Sequence, residues 1–157
     1  MESDEVIVGV FLPNPRPRPF EFVRPYKQAR RREDDISIVT SGMRVRLEPQ
    51  MEEGKWVVVE ADLCFGGMAA TTVAAPKTEA YLVGKEWSAE VMAGAYETLA
   101  EDLPLPEDVP GTCEYRRALP PSFLFKFFVE VSVRLEGLCA SSEESLPPPP
   151  VIGHSDR

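Results

Sequence analysis

Residues 27–47 read KQARRREDDISIVTSGMRVRL, and a change of pattern inside this stretch decides the fold. A mixed-charge run, Arg30-Arg31-Arg32-Glu33-Asp34-Asp35, gives way at Ile36 to alternation. Ile36, Ile38, Thr40 and then Met43, Val45, Leu47 alternate with Ser37, Val39, Ser41, Arg44 and Arg46, and Gly42 interrupts the run. A period of two marks a half-buried strand, and a glycine inside one marks a bulge or kink. The stretch predicts a helix end, a charged loop, and a strand that kinks at Gly42.

Towards the C-terminus, a turn at Glu53-Gly54 precedes a second alternating run, Trp56 to Phe65. Val57, Val59, Ala61, Leu63 and Phe65 are expected to face inward and Glu60 and Asp62 outward, in an antiparallel hairpin with the first strand. Gly66-Gly67-Met68 reads as a turn, and Ala69 to Ala75 as a third strand stopped by Pro76. A short helix over Lys77 to Val83 follows. Ser88 to Leu103 is a second helix, with Val91, Met92, Ala95, Tyr96, Leu99 and Leu103 on one stripe and Ser88 as N-cap. Pro104 and Pro106 end it, and residues 107–119 read as a loop with a turn at Pro110-Gly111. In PSFLFKFFVEVSVRLEG the second half alternates, so periodicity alone permits a strand. Length favours a buried helix from Ser122 to Glu136, with Gly137 at its end.

Towards the N-terminus, Val6, Val8 and Val10 alternate with Ile7, Gly9 and Phe11, a buried strand over residues 5–12. Pro13 to Pro19 is too proline-rich for regular structure. Phe20, Phe22, Val23 and Tyr26 are expected on a helix running to Arg31, which Pro25 allows only if it begins near Arg24. The fold class is α+β: a three- to four-stranded antiparallel sheet packed against helices over residues 1–138. Residues 139–157, rich in Ser, Glu and Pro, form a disordered linker or tail.

At 157 residues the chain is long enough for one domain with a real core. A net charge of -9 argues against nucleic acid as the main partner. No apolar run is long enough to span a membrane, and the acidic N-terminus lacks an apolar signal region, so a cytoplasmic location is expected. Seven of the 17 basic residues (Arg16, Arg18, Arg24, Lys27, Arg30, Arg31, Arg32) crowd the first 32 positions, either as a solvated face or as part of a site. Cys64, Cys113 and Cys139 lack ligand spacing and read as reduced thiols on a strand, a loop and a tail, with no metal. The single histidine, His154, lies in the tail, so the folded part has no candidate for histidine-based catalysis. Gly66-Gly67 lacks the spacing of a phosphate-binding loop.

Several of these stretches resemble the C-terminal half of the flavin domain of xanthine dehydrogenases, which are molybdenum-flavin hydroxylases, and the related CO dehydrogenase flavoprotein C-terminal domain. The resemblance is carried by Lys27-Gln28-Ala29, the basic run, Glu33-Asp34-Asp35-Ile36 and Ser41-Gly42-Met43-Arg44-Val45. Cys64-Phe65-Gly66-Gly67-Met68-Ala69 with Thr71-Thr72, Arg116-Arg117-Ala118-Leu119 and Phe125-Lys126-Phe127-Phe128 extend it from about Ile7 to Glu136. Glu33-Asp34-Asp35 is more similar to xanthine dehydrogenases than to aldehyde oxidases. Pro25 and the proline-rich stretch at 13–19 depart from the family pattern.

The resemblance implies FAD, with Lys27 touching the cofactor and Ile7 packing on it. It places Arg31, Arg32 and Asp34 on a loop bordering the flavin and NAD. The other readings are a solvated Lys27, a purely core Ile7, and a loop whose charges pair with one another. The implied partners are the glycine-rich remainder of the flavin domain and the iron-sulfur and molybdenum domains. The chain is expected to be a fragment, inactive in isolation, whose full enzyme passes electrons from purine hydroxylation through FAD to NAD. The alternatives are an interaction domain that kept the fold without its cofactor, or the same segment of an aldehyde oxidase.

Overall fold

The computed structural model describes residues 4–11, 20–29, 36–50, 54–103 and 113–143. Four strands form one antiparallel sheet in sequential order: β1 (Glu21–Ala29), β2 (Ser37–Pro49), β3 (Trp56–Gly66) and β4 (Val73–Ala74). Three helices follow, α1 (Pro76–Leu82), α2 (Ala89–Asp102) and α3 (Cys113–Glu143). They contact the sheet and one another. The expected α+β class with a four-stranded sheet is what the chain forms.

The expected β2–β3 hairpin is present, but its faces are phased differently. Val39, Ser41, Met43, Val45 and Leu47 share the buried face, and β2 pairs without a break through Gly42. The irregularity lies instead between Arg46 and Leu47, where Arg46 opposes Glu60 and Leu47 opposes Val58. Val59 is the extra residue, as in a β-bulge. Above it Leu63 and Phe65 point to the core; below it Val58, rather than Val57 or Val59, does so. A bulge inverts the alternation, so the apolar face of Trp56–Phe65 divides between the two sides.

Residues 21–29 form a strand, where a helix was expected. Pro25 is the physical reason: β1 is an edge strand, and an edge tolerates a missing N–H where a helix interior does not. Residues 5–11 form no strand among the described residues and are exposed, against the expected buried strand. The expected third strand shrinks to Val73–Ala74, paired with Phe65 and Cys64.

Asp102, on the last turn of α2, accepts from the backbone N–H of Thr78 at 2.8 Å and of Lys77 at 3.2 Å. Its carboxylate thereby satisfies orphan donors at the start of α1. Ser88 caps α2 as expected, accepting from Val91 N at 3.4 Å. The buried helix is also as expected but longer. It starts at Cys113, within the expected loop, and passes through Gly137 and Cys139 to Glu143. Leu119, Phe123, Phe127, Val131 and Leu135 recur every four residues on its buried face, a helical rather than a strand period. Pro120 and Pro121 remove two helix donors, and the Ser122 hydroxyl donates to the Ala118 carbonyl at 2.7 Å beside them. Residues 144–157, and with them His154, lie outside the described residues.

Among the described residues, no helix is long and apolar enough to cross a membrane. Cys64 lies on β3, and Cys113 and Cys139 lie on α3 rather than on a loop and a tail.

Candidate functional site: the open face of the sheet

The helices cover one face of the sheet, and strand register arranges the other into rows. Lys27 opposes Thr40, and Thr40 opposes Gly66. The next rows are Pro25–Gly42–Cys64, then Val23–Arg44–Asp62, then Glu21–Arg46–Glu60. Directly opposed residues share a face, so these rows lie side by side on one surface.

The two ends of this surface differ in chemistry. At one end Arg44 binds three carboxylates, Glu21 at 2.6 Å, Asp62 at 2.5 Å and Glu60, while Arg46 binds Glu60 at 2.8 Å and Glu48 at 2.7 Å. These hydrogen bonds, led by that to Glu60, raise Arg44 above its ordinary pKa and hold Glu60 below the usual carboxylate range. The network is partly solvated, and its two guanidinium groups face four carboxylates, so this end of the surface carries an excess of negative charge.

The other end is small and hydroxyl-bearing. A Cβ on Gly66 would lie 2.5 Å from Thr40 Oγ1 and 3.7 Å from Thr72 Oγ1, so Gly66 leaves both hydroxyls room. A Cβ on Gly42 would meet nothing within 4 Å, so the surface beside it is open. Lys27 stands exposed on this row. Burial, with the Glu79 and Asp62 carboxylates, pushes the Cys64 thiol up, which disfavours a thiolate nucleophile here.

The covered face aims β1. Glu130 on α3 accepts from Arg24 Nε and, at 3.0 Å, from the Tyr26 hydroxyl. Tyr26 stacks on Phe123 with ring centroids 5.8 Å apart. Burial, then the hydrogen bond to Glu130, pushes the Tyr26 hydroxyl up to about 12. Arg24 and Tyr26 alternate with Lys27, so fixing them to α3 turns Lys27 outward. Arg116 on α3 donates to the Gly67 carbonyl at 2.6 Å and the Ile38 carbonyl at 3.4 Å, tying the start of β2 to the glycine turn.

Of the candidate site residues, Lys27 lies on this open face, on a strand rather than a helix. Arg31, Arg32 and Asp34 lie outside the described residues, in the segment joining β1 to β2 at the Lys27 end. Ile7 is not part of the sheet and is 67% exposed, so it has no core role among the described residues. Arg24, Tyr26 and Glu130 were missed by sequence reasoning. The available signal was Pro25, which an edge strand accommodates and a helix does not.

For FAD, these residues supply a cation, two hydroxyls and an open, small-residue surface. They supply no run of backbone donors for a diphosphate, since Gly67 belongs to the turn: its φ is +81° and a Cβ there would meet Ile38 O at 2.2 Å.

Residues 24–131 match the model of the CO dehydrogenase flavoprotein C-terminal domain, and the chain belongs to that family. It is 43% identical to xanthine dehydrogenase of Oryza sativa subsp. japonica over 133 residues, which is 84% of this chain and 9% of that protein. It is 43% identical to the xanthine dehydrogenase/oxidase of Mus musculus over 145 residues, 88% of this chain and 10% of that protein. The chain thus spans about a tenth of the length of these curated relatives. Its fold matches a chain of the Cu,Mo-CO dehydrogenase crystal structure with a TM-score of 0.56 at 19% identity, over 73% of this chain and 37% of that one. The chain is a xanthine dehydrogenase-like flavoprotein domain.

Proposed function

We propose that the open sheet face forms one wall of an FAD site in a cytoplasmic xanthine dehydrogenase-like hydroxylase, where electrons from purine hydroxylation leave for NAD. The observation that carries this reading is the row Lys27–Thr40–Gly66, at the end of the sheet where the 30–35 segment joins β1 to β2. When bound, FAD supplies the electron chemistry between the iron-sulfur centres and NAD. Lys27 provides a cation at the wall, favouring negative charge on the cofactor, while the Thr40 and Thr72 hydroxyls can donate or accept there. Arg31, Arg32 and Asp34 place both signs of charge on the neighbouring segment, so removing either sign shifts the local potential in a known direction. The remainder of the flavin domain supplies the diphosphate donors, and the molybdenum and iron-sulfur domains the electrons.

The test uses rice xanthine dehydrogenase lacking its matched 133 residues, co-expressed with this full chain. The complex is expected to hold FAD, and the chain alone to lose it on desalting, because half a site does not offset the cost of immobilising a large cofactor. Lys27→Ala should lower the flavin potential or FAD content, and Asp34→Ala should raise the potential. The rate of reduction by xanthine at molybdenum should change with neither. Unaltered potential and FAD content in both variants would refute the assignment.

A further inference from the structure

Three irregularities of the backbone meet at one guanidinium. On the β1 side, Gln28 pairs with Val39 and Ala29 with Ser37, so Ile38 is an extra residue, as in a β-bulge. On the β3 side the ladder ends at Thr40–Gly66, so Ile38 has no opposed residue there either. Gly67 then turns away with a φ of +81°, so close that a Cβ on it would lie 2.2 Å from the Ile38 carbonyl oxygen. The carbonyls of Ile38 and Gly67 therefore both lie off the regular pairing of the sheet, where a donor from outside it is needed.

Arg116 on α3 supplies that donor. Its Nη1 donates to the Gly67 carbonyl at 2.6 Å and to the Ile38 carbonyl at 3.4 Å. Its Nε is buried with no hydrogen-bond partner among the described residues. A buried unpaired donor costs stability, so an apolar side chain would serve packing better, and the carbonyl contacts are what the guanidinium contributes. What it holds borders the row Lys27–Thr40–Gly66. Ile38 is two residues from Thr40 on β2, the pair Gln28–Val39 adjoins Lys27–Thr40, and Gly66 adjoins Gly67. Bulges occur beside sites because they re-aim the side chains next to them.

We propose that Arg116 is a positioning residue of the open face. By holding the Ile38 bulge to the Gly67 turn from the helical side, it fixes how Lys27 and the Thr40 and Thr72 hydroxyls are presented to FAD. The inference rests on the reading of the open face as a flavin wall. A bulge that slides along a ladder turns each side chain it passes to the other face of the sheet. Pinning the bulge at Ile38 keeps Thr40 on the open side opposite Lys27, and pinning the turn keeps the space that Gly66 leaves for both hydroxyls. Arg116 does this without touching the cofactor.

The test uses the co-expressed pair, this full chain with rice xanthine dehydrogenase lacking its matched stretch, and reads the FAD dissociation constant and the flavin potential. Arg116→Ala should weaken FAD binding at least about tenfold, which is about 1.4 kcal/mol. Arg116→Lys keeps the charge and can reach one carbonyl but lacks the planar fork, so it should weaken binding by only about threefold. Two controls separate position from charge and from stability. Arg117→Ala removes an equal charge at the next, exposed residue, and Asp102→Ala removes three hydrogen bonds from α2 to α1. Both should leave FAD affinity and potential as in the wild type, whatever they do to thermal unfolding. Arg116→Ala combined with Lys27→Ala should weaken binding by less than the product of the single effects, because Arg116 acts through the placement of Lys27. In the chain alone, the amides of residues 39–41 and 66–68 should exchange with deuterium about tenfold faster in Arg116→Ala than in the wild type. FAD affinity retained by Arg116→Ala would overturn the proposal, and faster exchange alongside it would show a clamp that serves stability alone. An equal loss in Arg117→Ala or Asp102→Ala, or fully multiplicative effects in the double variant, would overturn it too. A wild-type complex that holds no FAD would refute the flavin wall, and the positioning role with it. Wild-type FAD binding that Arg116→Ala leaves intact would refute the positioning role alone.

Discussion

Removing the carboxylate of Glu130 tests how β1 is held. Glu130 accepts from Arg24 Nε and from the Tyr26 hydroxyl at 3.0 Å, and Arg134 approaches it at 3.7 Å. Glu130→Ala loses one charge-assisted bond and one hydroxyl bond, and it leaves Arg24, whose Nη2 is already buried without a partner, further uncompensated. Full burial would make that worth several kcal/mol, but the Glu130 and Arg24 side chains are 37% and 23% exposed. Solvent screening reduces the expected loss to about 2 kcal/mol. For a chain of this size that is a fall in Tm of about 4–8 °C, read by circular dichroism or calorimetry at pH 7. A double-mutant cycle with Arg24→Ala should give a coupling of about 1 kcal/mol. The pH dependence has a definite sign. Arg24, then the Tyr26 hydrogen bond, hold the Glu130 carboxyl below its ordinary value. A depressed carboxylate stabilises the fold above its unfolded pKa of about 4.3, and that contribution is lost as pH falls through the folded value. The gap between wild type and Glu130→Gln should therefore narrow below about pH 4. A Tm change under about 1 °C, additive single mutants, or a gap that ignores pH would refute the linkage.

Gly67→Ala should destabilise by at least about 2 kcal/mol in urea titration, since it combines a positive φ with a Cβ placed against the Ile38 carbonyl. Ser41→Ala should raise stability by about 1 kcal/mol, because the Ser41 hydroxyl is buried with no hydrogen-bond partner and the substitution keeps the backbone; a loss of stability would show that the hydroxyl is paired. The raised Tyr26 hydroxyl contributes stability below pH 10 that falls away as pH rises towards about 12, so Tyr26→Phe should unfold less steeply over that window in alkaline titration.

Much of the architecture was legible in the sequence because it depends on local chemistry. The alternation of Met43, Val45 and Leu47 and of Leu63 and Phe65 specified the hairpin, Ser88 specified the start of α2, and the length of the apolar stretch around Phe127 specified α3 over a strand. The motif from Lys27 to Val45 carried the family. Tertiary structure decided the rest. Residues 21–29 have an apolar pattern open to either helix or strand, and pairing with β2 at a free edge made them a strand that tolerates Pro25. The bulge sits at Arg46/Leu47 rather than Gly42 because register is set by both partners of a pair, and a strand's own sequence records only one of them. Which way Lys27 faces was likewise unreadable from its neighbours, since it depends on Arg24 and Tyr26 meeting Glu130, more than a hundred positions away, and such a contact exists only once the helix lies across the sheet.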